Sequence, residues 1–270
     1  MTGKWRLNAP PRPPPEVLEE CPACIINPFL GVRTHLRTPA GAVAESHLKE
    51  PALVAAPPGP VYRVGRNGDP LRPSRIAAQD ALATRAGNRF DVVGGGVIYC
   101  GTHVKGCFAE VVARFRPSPK MRTLMEQEDA GFVTCGGVPQ NWRDQRTVVA
   151  ASIADALPFV DIDNPITHEY LNAKMAAELT DLGVDTLDVG NVRGANRLIT
   201  RAASSWAYWA AHDAGSPKYS GIRYLSRVLP DEECWAVFEG TPIVEVSRRP
   251  IEINDPDLQA VADMWGLRIF

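Results

Sequence analysis

The sequence predicts a mixed α+β domain with flanking helices behind a proline-rich N-terminal arm, on three observations. Residues 1–57 are punctuated by PPRPPP, PAGA and APPGP and show little helical or strand period. From residue 61 onward, short apolar or alternating runs carry strand composition, and longer segments among them carry helical stripes. The domain is therefore expected over 58–270, and the arm over 1–57.

Taken in order, strands are expected at PVYRV (60–64), VIYC (97–100), RTVVAAS (146–152), GIRYLSRV (221–228) and CWAVFE (234–239), where β-branched and aromatic residues concentrate. The last two are joined by LPDEE, a connection of hairpin length. A helix over 106–115 places Phe108, Val111, Val112 and Phe115 on one face, and a second over 168–182 does so with Leu171, Met175, Leu179 and Leu182 before Gly183 stops it. A third over 196–212 carries Leu198, Ile199, Ala202, Trp206 and Trp209 and ends at DAGSP. The stretch 117–146 is polar and glycine-containing; it is open whether it, or the arm, dimerises, covers a cleft or binds a partner.

The bulk numbers exclude several classes. With 29 basic against 31 acidic residues, composition gives no electrostatic case for nucleic acid or a membrane surface as the main partner. No apolar run approaches the roughly 18 residues that cross a bilayer, and MTGKWRLNAPPRPPPEV lacks the apolar core of a signal peptide, so a cytoplasmic protein is expected. The six cysteines are scattered and read as reduced thiols. Cys21 and Cys24 form the one CxxC pair, too little for a zinc site, and no metal is expected.

Residues 94–96 are three consecutive glycines and raise the question of a dinucleotide loop. That fingerprint needs G-x-G-x-x-G between a strand and a helix. Counted from Gly94, the third glycine would fall at Tyr99, and VIYC reads as a strand where a phosphate-holding helix should begin. The glycines instead read as a turn, flanked by Arg89 and Tyr99 and followed by Glu110 at the margin of the next helix's apolar stripe. On spacing alone Glu110 is either a surface partner of Arg114 or a site residue. Strand alternation puts Tyr224 and Ser226 on one face of GIRYLSRV and Arg223 and Arg227 on the other, and leaves Ser226 as either a backbone-bonded serine or a placed ligand contact. Arg63 within VYRVG is either an arginine packed by its stem or a ligand contact.

The ordered set Tyr62-Arg63, Arg89-Phe90 with Tyr99, Ala109-Glu110 and GIRYLSR from Gly221 to Arg227 resembles the RES domain family, named for an arginine, a glutamate and a serine. FVDID (159–163) and LITRAASSWA (198–207) also fit, so the resemblance spans residues 60–240.

The resemblance implies an ADP-ribosyltransferase-like fold and an enzyme that consumes NAD by phosphorolysis or hydrolysis of its nicotinamide-ribose bond. It also implies a bacterial toxin restrained by a helical Xre-like antitoxin over the active site. Arg63, Glu110 and Ser226 are then the expected catalytic residues, with Tyr62, Arg89, Tyr99 and Tyr224 binding substrate. Cleaving that bond builds an oxocarbenium-like ribose, which a carboxylate such as Glu110 stabilises. Arg63 and Arg89 suit the pyrophosphate; Tyr99 could stack on or hydrogen-bond nicotinamide or ribose, and Ser226 could bond a phosphate or hydroxyl. No cofactor is expected, because NAD is the substrate and inorganic phosphate a candidate co-substrate. A macromolecule-directed ADP-ribosyltransferase and a catalytically silent binding module are the alternatives, and the oligomeric state stays open.

Overall fold

The computed structural model describes residues 49–127 and 136–270. An eight-stranded mixed sheet dominates it, ordered β1-β6-β7-β8-β3-β2-β5-β9. Its strands are β1 (Leu53–Val54), β2 (Val61–Arg66), β3 (Val97–Gly101), β5 (Arg146–Ile153), β6 (Phe159–Asp161), β7 (Gly221–Leu225), β8 (Glu233–Phe238) and β9 (Ile243–Pro250). β6 and β7 run parallel, and every other neighbouring pair runs antiparallel. A separate parallel ribbon joins β4 (Gly137–Val138) to β10 (Arg268–Ile269). This is the mixed α+β domain with flanking helices that the pattern predicts. The arm lies largely outside the described residues, but Leu53 and Val54 pair with Val160 and Phe159, so the sheet reaches into the segment read as arm.

The parallel pair requires a crossover, and four helices supply it: α4 (Pro165–Lys174), α5 (Ala176–Asp181), α6 (Val189–Arg193) and α7 (Arg197–Trp209). Asn164 caps α4, accepting from the Ile166 N–H, with Pro165 in the first turn. The single helix expected over 168–182 is two, because Met175 leaves helical geometry at φ −119°, and Leu171, Met175 and Leu179 all stay in one core. Gly183 ends α5 as expected. At φ +72° its N–H bonds Thr180 and the next N–H bonds Leu179, a left-handed cap that a side chain would strain. This layer buries Phe90, Val160, Ile222, Tyr224 and Phe238 against the sheet.

The helix expected at 106–115 is α1 (Val104–Val112) continued by a 3-10 turn, Ala113–Phe115. It packs Phe108 and Val112 against Leu258, Val261 and Trp265 of α8 (Pro256–Trp265), an i, i+3, i+7 stripe. The stretch 117–146 holds α2 (Pro119–Gln127), β4 and α3 (Gln140–Asp144), with 128–135 outside the described residues. Cys100, Cys107 and Cys234 are free thiols, as expected, whereas Cys21, Cys24 and Cys135 lie outside the described residues. No helix among the described residues is long and apolar enough to cross a membrane.

Candidate active site

A cleft of about 660 Å³ opens where two central strands part company. β2 and β3 share one registered pair, Tyr62 with Gly101, while β2 stays paired with β5 and β3 with β8 along their lengths. Arg63 and Val64 line one side of the gap, and Tyr99, Cys100 and Gly101 the other. α1 passes across it and contributes Glu110, and the loop after β7 contributes Arg227 and Val228.

Glu110 is the one carboxylate in this lining, and it is exposed. Its expected alternative, a pair with Arg114, is not made: Arg114 lies over the Phe115 ring, 4.8 Å from the centroid. Instead Ser226 Oγ donates to Glu110 Oε1 at 2.6 Å. Ser226 is fully buried, and its Oγ accepts from the N–H groups of Val228 and Leu229, each at 3.2 Å. Those bonds bend the chain as β7 ends at Leu225, so strand alternation no longer governs Arg227 and it turns into the cleft beside Tyr224. Alternation alone had placed it on the opposite face.

Five arginines, Arg63, Arg89, Arg116, Arg197 and Arg227, line the cleft with this single carboxylate. Two of them are incompletely bonded among the described residues, since Arg63 Nη1 and Arg89 Nε are buried with no hydrogen-bond partner. A buried donor left unmade costs about 1–3 kcal/mol, so such groups point to a ligand acceptor. Burial holds both guanidinium groups below their ordinary pKa; Tyr224 and Glu110 oppose that effect for Arg89. Arg89 is also fixed through a bond from Nη2 to the Val192 carbonyl, with its head 5.2 Å from the Phe90 ring centroid and 5.4 Å from that of Tyr224. Its remaining donors are thereby presented in one orientation.

The Tyr99 side of the cleft is built differently. Tyr99 OH donates to Asp91 Oδ1 at 2.9 Å and accepts from the Phe90 N–H at 3.0 Å. Burial, and then Asp91, push the phenol well above its usual pKa. Asp91, fully buried, also accepts at Oδ2 from Ser74 Oγ at 3.1 Å and from the Asn88 N–H at 2.7 Å. Ser74, Asn88 and Tyr99 all line the cleft, so one hidden carboxylate positions three of its residues. The turn that leads here is the expected one: Gly94 sits at φ +78°, and a Cβ on Gly95 would lie 2.8 Å from the Tyr208 ring.

Of the residues singled out from the sequence, Arg63, Arg89, Tyr99, Glu110 and Tyr224 line the cleft together. Ser226 lies behind Glu110 and does not line it. Tyr62 is half-buried, packs into the α1–α8 cluster, and does not line it either. Sequence reasoning missed the lining residues Ser74, Asn88, Arg116 and Arg197, and Asp91 behind Ser74 and Asn88. For Asp91 one signal existed, an acid inside the otherwise apolar run FDVV.

A family model described as RES domain matches residues 60–261, about three quarters of the chain. The chain belongs to the RES domain family. No curated protein matches it. The RES match runs past residue 240, where the motif resemblance stops, and takes in β9 and most of α8. Membership in the RES family supports an enzyme that acts on NAD in general terms.

Proposed function

We propose that the cleft binds NAD and breaks its nicotinamide-ribose bond. The observation that carries this reading is the pairing of one exposed carboxylate with five arginines, two of them holding buried unpartnered N–H groups. The arginines supply the charge and donors that a pyrophosphate takes up, in the bidentate geometry guanidinium favours. Glu110 lies against the ribose, where it stabilises positive charge developing at the anomeric carbon. Ser226 is a positioning residue: its donated bond fixes one Glu110 oxygen and leaves the other to a ribose hydroxyl or the cation. Tyr99 offers its ring, because its hydroxyl is already donating to Asp91 and accepting from Phe90. Tyr224 steadies Arg89 through its ring face.

In the phosphorolytic form, an oxygen of inorganic phosphate bonds the anomeric carbon as the glycosidic C–N bond breaks. The bonding pair leaves with nicotinamide, which departs neutral and needs no general acid. Water replaces phosphate in the hydrolytic form. The surplus of arginines over the charge of one pyrophosphate favours phosphate as the acceptor. In the cell such an activity makes the protein a toxin, restrained by a helical Xre-like partner that covers the cleft.

Purified protein incubated with NAD, with and without phosphate, and followed by mass spectrometry tests the reading. Nicotinamide with phosphate-dependent ADP-ribose phosphate supports phosphorolysis, and ADP-ribose regardless of phosphate supports hydrolysis. Label from NAD retained on a macromolecule would redirect the reading to a transferase, and absence of nicotinamide from folded protein would overturn it.

A further inference from the structure

Outside the cleft, three arginines gather with no acid to answer them. Arg66 at the end of β2 and Arg146 at the start of β5 are registered partners across the antiparallel pair. Side chains so placed share a face with Cβ atoms about 4.5–5.5 Å apart, and like charges there are destabilising. Arg146 lies over the Trp142 ring, 4.7 Å from its centroid, and donates to the Trp142 carbonyl at 3.1 Å. Trp142 meets Phe115 edge-on with centroids 5.8 Å apart, and Arg114 covers Phe115. Two adjoining rings and one strand pair thus bring three guanidinium groups to one place. Burial, then Arg114, then Arg66 hold Arg146 below its ordinary pKa.

Several other arginines at the surface are paired with acids. Arg75, Arg193, Arg223, Arg248 and Arg249 each bridge to an aspartate or glutamate. Among the described residues none of the three clustered arginines does, although Asp69 and Asp144 lie close to them in the chain. Arg66 and Arg114 are exposed, and neither side chain makes a hydrogen bond among the described residues. Their guanidinium donors are left unspent, and both charges bear on Arg146.

We propose that Arg66, Arg114 and Arg146 form a second anion site, separate from the cleft, that takes the phosphate group of a small oligophosphate or nucleoside oligophosphate. A multiply charged phosphate offers several acceptor oxygens to convergent guanidinium forks, whereas a single carboxylate could neutralise only one of them. The ligand is small because the cations gather on one ring pair and are not strung along a strip. Nucleic acid fits poorly: Trp142 is 5% exposed and already covered by Arg146, which leaves no open ring on which a base could stack. The site is independent of the NAD reading, since none of its three residues lines the cleft.

Thermal unfolding of the full chain tests this with four probes: inorganic phosphate, tripolyphosphate, adenosine triphosphate and a glutamate hexapeptide. Tripolyphosphate is expected to raise Tm, and Arg66→Gln and Arg114→Gln each to weaken its Kd by about tenfold or more, while Arg227→Gln in the cleft retains the effect. Without ligand and at low ionic strength, Arg66→Gln is expected to unfold at the same or a higher temperature, because it relieves the repulsion. Adenosine triphosphate acting more strongly than tripolyphosphate assigns the source to a nucleotide, and equal action assigns it to the phosphate chain itself. The proposal is overturned if Arg66→Gln leaves the tripolyphosphate Kd measured in an Arg227→Gln background unchanged, or if stabilisation is lost only in Arg227→Gln. It is equally overturned if the peptide binds as tightly as tripolyphosphate, or if Arg66→Gln destabilises the free protein.

Discussion

Two carboxylates stand at the cleft in opposite ways: Glu110 lines it, and Asp91 is buried behind Ser74, Asn88 and Tyr99, which do. Asp91 is fully buried and accepts three hydrogen bonds, all from its own chain, so nothing of it is left for a ligand. Glu110 is exposed and accepts one hydrogen bond, from Ser226. Burying a carboxylate is expensive unless its oxygens are satisfied, which makes a satisfied one a rigid anchor. A carboxylate left open to solvent and held by a single bond keeps spare lone pairs open to the cleft. The difference separates a residue that holds the wall of the cleft from one whose carboxylate is open to it.

The largest effect should come from the open wall. Glu110→Gln keeps the size of the side chain and removes its charge, so kcat for NAD cleavage is expected to fall by about 10²–10³-fold or more, while Tm moves by less than about 2 °C, as for a surface substitution. Steady-state nicotinamide release and a melting curve on the same preparation check both halves. A Tm loss as large as the activity loss would erase the distinction between the walls.

Asp91→Ala should produce the reverse balance. It leaves Tyr99 OH, Ser74 Oγ and the Asn88 N–H without their acceptor, at about 1–3 kcal/mol for each group that stays buried and unpaired. The expected loss of stability is about 3 kcal/mol by denaturant titration, with KM raised more than kcat is lowered, because three lining residues lose their positions while Glu110 keeps its own. A fall confined to kcat would mean that Asp91 acts on the reacting atoms through Tyr99.

This contrast also explains what could be read from the sequence. Arg63, Arg89 and Glu110 were legible because they stand in ordered short motifs, and α7 was legible because Asn196 caps an amphipathic stripe of thirteen residues. Asp91 was not, since its role depends on Ser74, seventeen positions away, and on a loop fold that no local period encodes. Arg227 was misplaced by alternation because the strand stops at Leu225, where a serine draws two backbone N–H groups into a bend. Tyr62 and Arg63 are adjacent in sequence yet only Arg63 reaches the cleft, which depends on β2 and β3 separating after a single pair. Splaying of that kind is set by long-range pairing with β5 and β8, and composition carries no trace of it.

The smallest effect, and the sharpest test of the closed wall, is Tyr99→Phe. The substitution keeps the ring in the cleft and removes the hydroxyl that Asp91 and the Phe90 N–H hold. If that hydroxyl serves the protein alone, stability should fall by about 1–3 kcal/mol, the cost of leaving a buried partner unpaired, and kcat/KM by no more than about threefold, corresponding to less than 1 kcal/mol. Asp91 would keep its bonds from Ser74 and Asn88, so the wall should stay in place. A fall of about 100-fold in kcat, nearly 3 kcal/mol of transition-state stabilisation, with KM and Tm unchanged, would point to a bond made in the transition state. It would mean that the Tyr99 hydroxyl leaves Asp91 when NAD binds and donates to the substrate, so that the closed wall opens during the reaction.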